Sequence, residues 1–379
     1  MSNRIKVAVV GASGRMGSAA CDAVEGADDL ELVARIDSGD DLGDLGGAQV
    51  AVDLTVPDAS PGVVAHCVDR GVHAVVGTTG WDDARLATLR EQLAEHPDVD
   101  LVSFTGGLET GRRLGVTAMG TVKKVALELG GKNPNVIFAD ACDTDEGLAA
   151  AVDNALNAAF LHSGQVCSAG ARLVVEESVK ERFVDELVRR AEAIVPGLPF
   201  DPATETGPLI SAEHRDKVDA YVKHAVEQGA TLRTGGAFAT GDLGGGDLDD
   251  GFFYLPTVLD GVTRDMDCAH DEAFGPTVTV ETFTTEDEAV EIANDTTYGL
   301  AGAVWSADGG RAQRVAARLR HGTVWVNDFG PYLPQAEWGG YGRSGFGREL
   351  GPTGLAEYQE AKHVYTNLRP GVTGWFAQR

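Results

Sequence analysis

The sequence predicts an α/β fold built on parallel sheets, and three observations predict it. Short apolar runs alternate with helical stretches from Lys6 to Phe104, a pattern that implies a doubly wound parallel sheet. Three glycines, Gly11, Gly14 and Gly17, sit between the first apolar run and the first helical stretch. After Gly131 the alternation resumes with longer amphipathic helices, so a second α/β unit follows the first.

The elements follow in order. Lys6–Val10, Glu31–Ile36, Val50–Leu54, His73–Val76 and Leu101–Phe104 read as strands, being short, apolar and bounded by Gly, Asp or Pro. Met16–Val24 and Asp82–His96 read as helices, the latter rich in Leu and Ala. Thr105 to Arg113 turns through glycines into a further helix. Glu177–Ile194 and His214–Gln228 carry apolar residues at helical spacing. Gly235–Gly251, with seven glycines and four aspartates, reads as a solvated loop; its spacing fails the calcium-loop pattern, and no metal site is expected. Beyond Leu350 one short run, His363–Tyr365, is strand-like.

Composition narrows the function. The 379 residues carry 31 basic and 58 acidic side chains, a net charge of −27, which repels nucleic acid and anionic membrane as partners. The opening MSNRIKVAVV lacks a basic-then-apolar leader, and no apolar run reaches transmembrane length. Five scattered cysteines (21, 67, 142, 167 and 268) suit reduced thiols rather than a disulfide framework, so a cytoplasmic location is expected.

The glycine triplet carries the first chemistry. In VVGASGRMGSAA the glycines permit a tight turn and a close backbone approach to a pyrophosphate at the helix N-terminus. Asp37 closes the second strand 20 residues after Gly17, where a carboxylate accepts from the adenine-ribose hydroxyl. The spacing is GxxGxxG rather than the commoner GxGxxG. The reading is a Rossmann-like dinucleotide site for NAD, with NADP as the alternative coenzyme. The strings VVGASGRMGSA, DLTVPDA (53–59) and HAVVGTTGWDDA (73–84) resemble the front of dihydrodipicolinate reductase. That resemblance places the GTTG turn, Gly77, Thr78, Thr79 and Gly80, near the nicotinamide. The reductase's catalytic half, with its paired histidines and lysine, finds no match from Val99 onward.

From Glu95 the sequence changes character. The strings FTGGLETG, LELGGKNPNVIFADA, HSGQVCSAGARLVVEES, DEAFGPTVTVETF, NDTTYGLAGAVWS, GTVWVNDFGPYLPQAEWGGYGRSGFGRELG and EYQEAKHVY resemble the aldehyde dehydrogenase family. DACDTDEG and PYLPQAEWGG look most like its betaine-aldehyde branch. The resemblance covers about residues 96–379. It implies NAD(P)-dependent oxidation of an aldehyde through a cysteine thiohemiacetal and thioester, a small-molecule aldehyde substrate, and a homo-oligomer.

By that resemblance Cys167 in GQVCSAG is the nucleophile and Glu128 in ELGGK the base for thioester hydrolysis. Gly106 and Gly111 belong to the coenzyme loop. Glu272 and Phe274 hold the nicotinamide ribose and wall the ring, and Trp338, with Tyr332, lines the aldehyde pocket. An aromatic wall suits a trimethylammonium group, which has no hydrogen-bond donor; core packing is the other reading for both rings. Without the resemblance a lone cysteine is usually inert, and Cys21, Cys67, Cys142 and Cys268 keep that reading.

The chain therefore divides into a dinucleotide-binding domain (1–98), a remnant of the aldehyde dehydrogenase coenzyme domain (99–130), a catalytic domain (131–345) and a C-terminal tail (346–379) that is the candidate oligomerisation segment. The family's leading portion has no counterpart here, including the lysine that grips the adenosine ribose and an asparagine of the oxyanion site. Three functions stand open: an aldehyde dehydrogenase, a dinucleotide-binding hybrid with an inactive catalytic half, and a 4-hydroxy-tetrahydrodipicolinate reductase.

Overall fold

The structure, a computed structural model, describes residues 4–78, 99–243 and 246–375. Thr79 and Gly80, with the helix expected at Asp82–His96, lie outside these residues.

Four parallel strands open the chain: β1 (Ile5–Val10), β2 (Leu30–Ile36), β3 (Val50–Asp53) and β4 (His73–Val76), in the order β2-β1-β3-β4. The unbroken apolar run of β1 is explained by burial on both sides. Ala8 and Val10 pack with Ile36, Ala51, Val63 and Cys67 on one face, while Val9 packs with Ala12 and Cys21 on the other. Helices Arg15–Gly26 and Ser60–Arg70 supply those covers.

A smaller sheet follows. Strands β5 (Leu101–Thr105) and β6 (Lys124–Glu128) run parallel, joined by helix Leu108–Met119 as one βαβ unit. Val102, Leu114, Ala118, Val125 and Leu127 make its core.

The largest sheet has seven strands in the order β15-β14-β7-β8-β13-β12-β9. They are β7 (Pro134–Ile137), β8 (Arg172–Glu176), β9 (Thr231–Thr234), β12 (Thr257–Asp260), β13 (Thr277–Phe283), β14 (Ala301–Trp305) and β15 (Thr323–Val326). Only β9 runs antiparallel to its neighbour. Helices Asp145–Phe160 and Lys180–Ala191 bury one face, and Glu286–Asn294 and Gly309–Arg318 the other. Thr144, Ser211, Thr285 and Asp308 cap their helices by accepting first-turn N–H groups. Arg172, wholly buried at the start of β8, forks onto Glu281 at 2.5 and 3.0 Å.

Four expectations change. The glycine-rich loop Gly235–Gly251 contains a two-stranded antiparallel ribbon, β10 (Asp242–Leu243) with β11 (Gly246–Asp247). His363–Tyr365 is no strand: it is exposed and pairs with no strand among the described residues, while helix Gly351–Glu357 occupies the preceding stretch. Strand β5 does not extend the front sheet. Among the described residues β4 pairs with β3 alone, and β5 takes β6, its partner in the βαβ unit. The short strand β16 (Gly345–Phe346) lies antiparallel to β6, so the boundary drawn at residue 345 cuts through an element.

Candidate active site

Two sheet ends form the site. Glu128 is the last residue of β6, and Thr105 and Gly106 end β5, so the small sheet presents its carboxyl edge. The large sheet presents its amino edge: Lys132 and Asn133 precede β7, Cys167 precedes β8, Glu272 and Phe274 precede β13, and Leu300 precedes β14. The link Leu129–Asn133 joins one edge to the other.

The loop of Cys167 is held by backbone and small residues. His162, Ser163 and Gly164 are three successive left-handed residues (φ 53, 58 and 69°), turning the chain out of helix Asp145–Phe160. A Cβ on Gly164 would stand 2.1 Å from the Gly275 carbonyl oxygen, so glycine is required there. Ser163 Oγ donates to the Gly207 carbonyl at 2.6 Å. Asn133, almost wholly buried, donates from Nδ2 to the Cys167 and Ala169 carbonyls at 3.0 and 2.9 Å. Its Oδ1 accepts from Ala301 N at 3.0 Å, which pins the Cys167 loop to β14. Nothing in the local sequence pattern distinguished Asn133.

Cys167 is half-buried, whereas Cys21, Cys67, Cys142 and Cys268 are 0–2% exposed. Burial pushes its thiol up to about 11, and the Glu128 and Glu272 carboxylates add to the rise; the Ser168 backbone N–H opposes it. Its side chain, like that of Trp325, packs against the cluster of Leu300, Ala301 and Trp338.

Glu128 is 5% exposed, and neither carboxylate oxygen has a hydrogen-bond partner. Burial and the neighbouring Glu349 carboxylate push it up to about 8, against Arg348 and the nearby Trp338 indole, which falls short of hydrogen-bond geometry. The carboxyl is therefore largely protonated at neutral pH. Gly339 makes room for it, since a Cβ there would lie 2.8 Å from Glu128 Oε1. Glu349, missed from sequence, is tied to the same place through its backbone pairing with Trp338 at 2.7 Å each way. Burial raises its carboxyl too.

Trp338 and Tyr332 meet at 4.6 Å between ring centroids, and Trp325 lies 6.2 Å from Trp338 and 4.8 Å from Phe329. Trp338 is 8% exposed and Tyr332 47%, so the cluster has a buried floor and an open lip. Trp325 and Phe329 are additions to the sequence reading; their spacing from Trp338 hid a contact that the turn at Gly330–Ala336 creates.

Glu272 lies along Gly130–Gly131, accepting from Gly131 N at 3.1 Å, and a Cβ on Gly130 would fall 2.0 Å from its carboxylate. Burial raises it, with the Gly131 N–H and the Lys132 and Lys217 ammonium groups pulling the other way. Phe274 adopts φ 52°, and its carbonyl accepts from His214 at 2.7 Å. Glu272, Phe274, Gly131, Lys132 and Val166 line one narrow cleft. Lys132, 2% exposed and bonded to the Tyr221 hydroxyl at 3.0 Å, is lowered by burial to about 8.

Gly106 N donates to the Glu128 carbonyl at 3.0 Å, and Gly111 is buried against Leu129, which a Cβ would meet at 2.5 Å. Both glycines thus let helix Leu108–Met119 close on the strand that ends in Glu128.

The front residues form a separate set. Gly11 has φ 84° and packs on the Leu54 carbonyl, while a Cβ on Gly17 would stand 1.9 Å from the Gly11 oxygen. Gly14 begins helix Arg15–Gly26 without a side-chain cap. Asp37 accepts from Ser13 N and Oγ at 2.9 and 2.8 Å, so its carboxylate clasps the glycine loop. Arg35 is paired with Glu25 at 2.7 Å. Gly77 N donates to the Asp53 carbonyl at 2.9 Å and Thr78 Oγ1 to the Thr55 carbonyl at 3.2 Å. Asp53, wholly buried, accepts from Thr55 and Ser60 and so orders the loop between these turns; it was not singled out from sequence.

A half-buried thiol flanked by an unpartnered carboxyl and an aromatic wall, on these motifs, defines a class. The model of the aldehyde dehydrogenase family matches residues 66–364, and the chain belongs to that family. The model of the dihydrodipicolinate reductase N-terminus matches residues 5–103, so the boundary expected near residue 98 falls within the overlap of the two. A betaine aldehyde dehydrogenase of Bacillus subtilis is 57% identical over 290 residues, which are 76% of this chain and 57% of that protein. The chloroplastic betaine aldehyde dehydrogenase of Atriplex hortensis is 41% identical over 284 residues, 75% of this chain and 54% of that one. The chain thus spans little more than half the length of these relatives. The crystal structure of a Staphylococcus aureus betaine aldehyde dehydrogenase in complex with NAD+ is similar with a TM-score of 0.76 at 40% identity, over 99% of this chain and 69% of that one. No helix among the described residues is long and apolar enough to cross a membrane.

Proposed function

We propose that the chain oxidises an aldehyde bearing a quaternary ammonium group to the carboxylic acid, with NAD as coenzyme. The observation that carries this reading is the half-buried Cys167 set between an aromatic cluster and the unpartnered Glu128. The names of the relatives, and the NAD+ held by the Staphylococcus aureus protein, support it.

The glycine loop suits a dinucleotide. Its helix N-terminus is uncapped, and no side chain at Gly11, Gly14 or Gly17 stands over the backbone N–H groups. Gly11, Gly14, Gly17 and Asp37 would hold the coenzyme, with Gly77, Thr78, Gly106, Gly111, Glu272 and Phe274 toward its nicotinamide end; Thr79 is assigned there by sequence alone. Bound NAD supplies a hydride acceptor.

In this reading Cys167 adds to the aldehyde carbonyl and its thiol proton passes to the carbonyl oxygen as the sulfur–carbon bond forms, because burial disfavours a standing thiolate. Loss of hydride from the thiohemiacetal carbon, with its hydroxyl proton released to water, would leave a thioester on Cys167. Glu128, in its ionised form, takes a proton from water, which attacks the thioester and releases acid and thiol. Trp338, Tyr332, Trp325 and Phe329 surround the cationic head through their ring faces. The test is the absorbance of reduced coenzyme with NAD and betaine aldehyde: wild type should produce it, Cys167→Ala should not, and a signal unchanged by that substitution would reject the assignment.

A further inference from the structure

The aromatic cluster has an exposed part and a more buried part, and one hydroxyl joins them. Trp338 and Trp325 sit on the more buried side: Trp338 is nearly buried, and Trp325 belongs to β15. Tyr332 stands in a surface turn whose residues 331–337 are all exposed. Hydrogen bonds hold its ring inward against Trp338. Two tethers do so: the Pro331 carbonyl accepts from the Trp325 indole at 3.1 Å, and the Tyr332 hydroxyl is hydrogen-bonded to Ser168 Oγ at 2.5 Å. Ser168 is 3% exposed and follows Cys167 directly. Its hydroxyl therefore points from the nucleophile loop to the aromatic lip.

We propose that Ser168 is a positioning residue for substrate choice: by holding the Tyr332 hydroxyl it sets that ring against Trp338 as a wall for a quaternary ammonium group. This rests on the reading of the cluster as a cation site. Attraction between a cation and an aromatic face falls away once the ring leaves its place beyond about 6 Å of the charge. A tethered ring keeps that place without spending side-chain entropy each time a ligand arrives. The residue after the nucleophile thereby couples selection of the charged head to the location of the reacting sulfur.

Tetramethylammonium is the probe, with tert-butanol as a neutral body of similar shape, and binding is followed by tryptophan fluorescence. Ser168→Ala and Tyr332→Phe should each weaken tetramethylammonium about fivefold, the effect of one lost hydrogen bond, and leave tert-butanol unchanged. The double variant should lose no more than either alone, and Ser168→Thr should restore binding. Tyr332, mapped by mass after tetranitromethane treatment, should be nitrated faster in Ser168→Ala. Additive losses, an equal loss for tert-butanol, or unchanged nitration would each overturn the proposal. A wild-type chain that binds both probes alike overturns the cation-site reading instead, and the nitration comparison then upholds or rejects the tether by itself.

Discussion

Replacing Glu128 with glutamine separates the two halves of the chemistry. Glutamine keeps the shape of a side chain that has no hydrogen-bond partner and sits in a space made by Gly339, so the fold should tolerate it. The assay needs no coenzyme: p-nitrophenyl acetate should acylate Cys167 with release of one nitrophenol, after which the acyl group must be hydrolysed. Glu128→Gln should show a full burst followed by turnover slowed on the order of a hundredfold to ten-thousandfold, the usual worth of a positioned base. The wild-type deacylation rate should depend on pH in a definite sense. The Glu128 carboxyl is raised to about 8, and it works as a base only when ionised, so the rate climbs as pH rises toward 8 and levels above it. From pH 6.5 to pH 8 the ionised fraction goes from about 3% to one half, a rise of about 15-fold. Acylation has its own dependence through Cys167, so deacylation must be read after the burst. A deacylation rate that is flat between pH 6.5 and 8.5, or a glutamine variant without a burst, would refute the role given to Glu128.

Four further outcomes are expected. Brief, sub-stoichiometric alkylation followed by mass mapping should label Cys167 first, since the other four thiols are 0–2% exposed; even labelling would contradict it. Titration calorimetry should show tighter binding of NAD than of NADP, because a 2′-phosphate beside Asp37 meets like charge and Arg35 is engaged by Glu25; equal affinities would count against the glycine-loop site. Arg172→Met should lower stability by about 3–5 kcal/mol in urea unfolding, because it strands the buried Glu281 carboxylate. Turnover with NAD and betaine aldehyde should fall at least about a hundredfold below that of a full-length family member assayed alongside, as a misplacement of about 1 Å is enough for that loss; rates within about tenfold would show the front sheet fitted to the site.

Much of this molecule was legible before any coordinates. The front strands came out within a residue or two because their short apolar runs end at Gly, Asp or Pro, even where, as in β4, the strand is exposed. Cys167, Glu128, Glu272, Phe274 and Trp338 do converge on the meeting of two sheet edges. What sequence could not show was anything that depends on a neighbour distant in the chain. Trp325 and Phe329 join the aromatic cluster only through a turn, and Asn133 binds carbonyls 34 and 36 residues away. Strand β16 is too short for a period to register, and it exists because β6 offers an edge. His363–Tyr365 failed for the opposite reason, having β-formers but no partner.

The meeting of the two edges also has a consequence for recombination. The two groups proposed to react, Glu128 and Cys167, both sit on chain that begins at β5, and the stretch between them includes β7 and helix Asp145–Phe160. In the proposed reading a crossover upstream of Leu101 keeps the thiol and the base on one backbone, whereas a crossover between Glu128 and Cys167 would unite two that had never shared one. A chain that trades its leading segment in this way keeps Glu128 and Cys167 together while giving up the oxyanion asparagine that the resemblance places in the family's leading portion. Shuffling libraries built on this protein should place their joints in the stretch just ahead of β5.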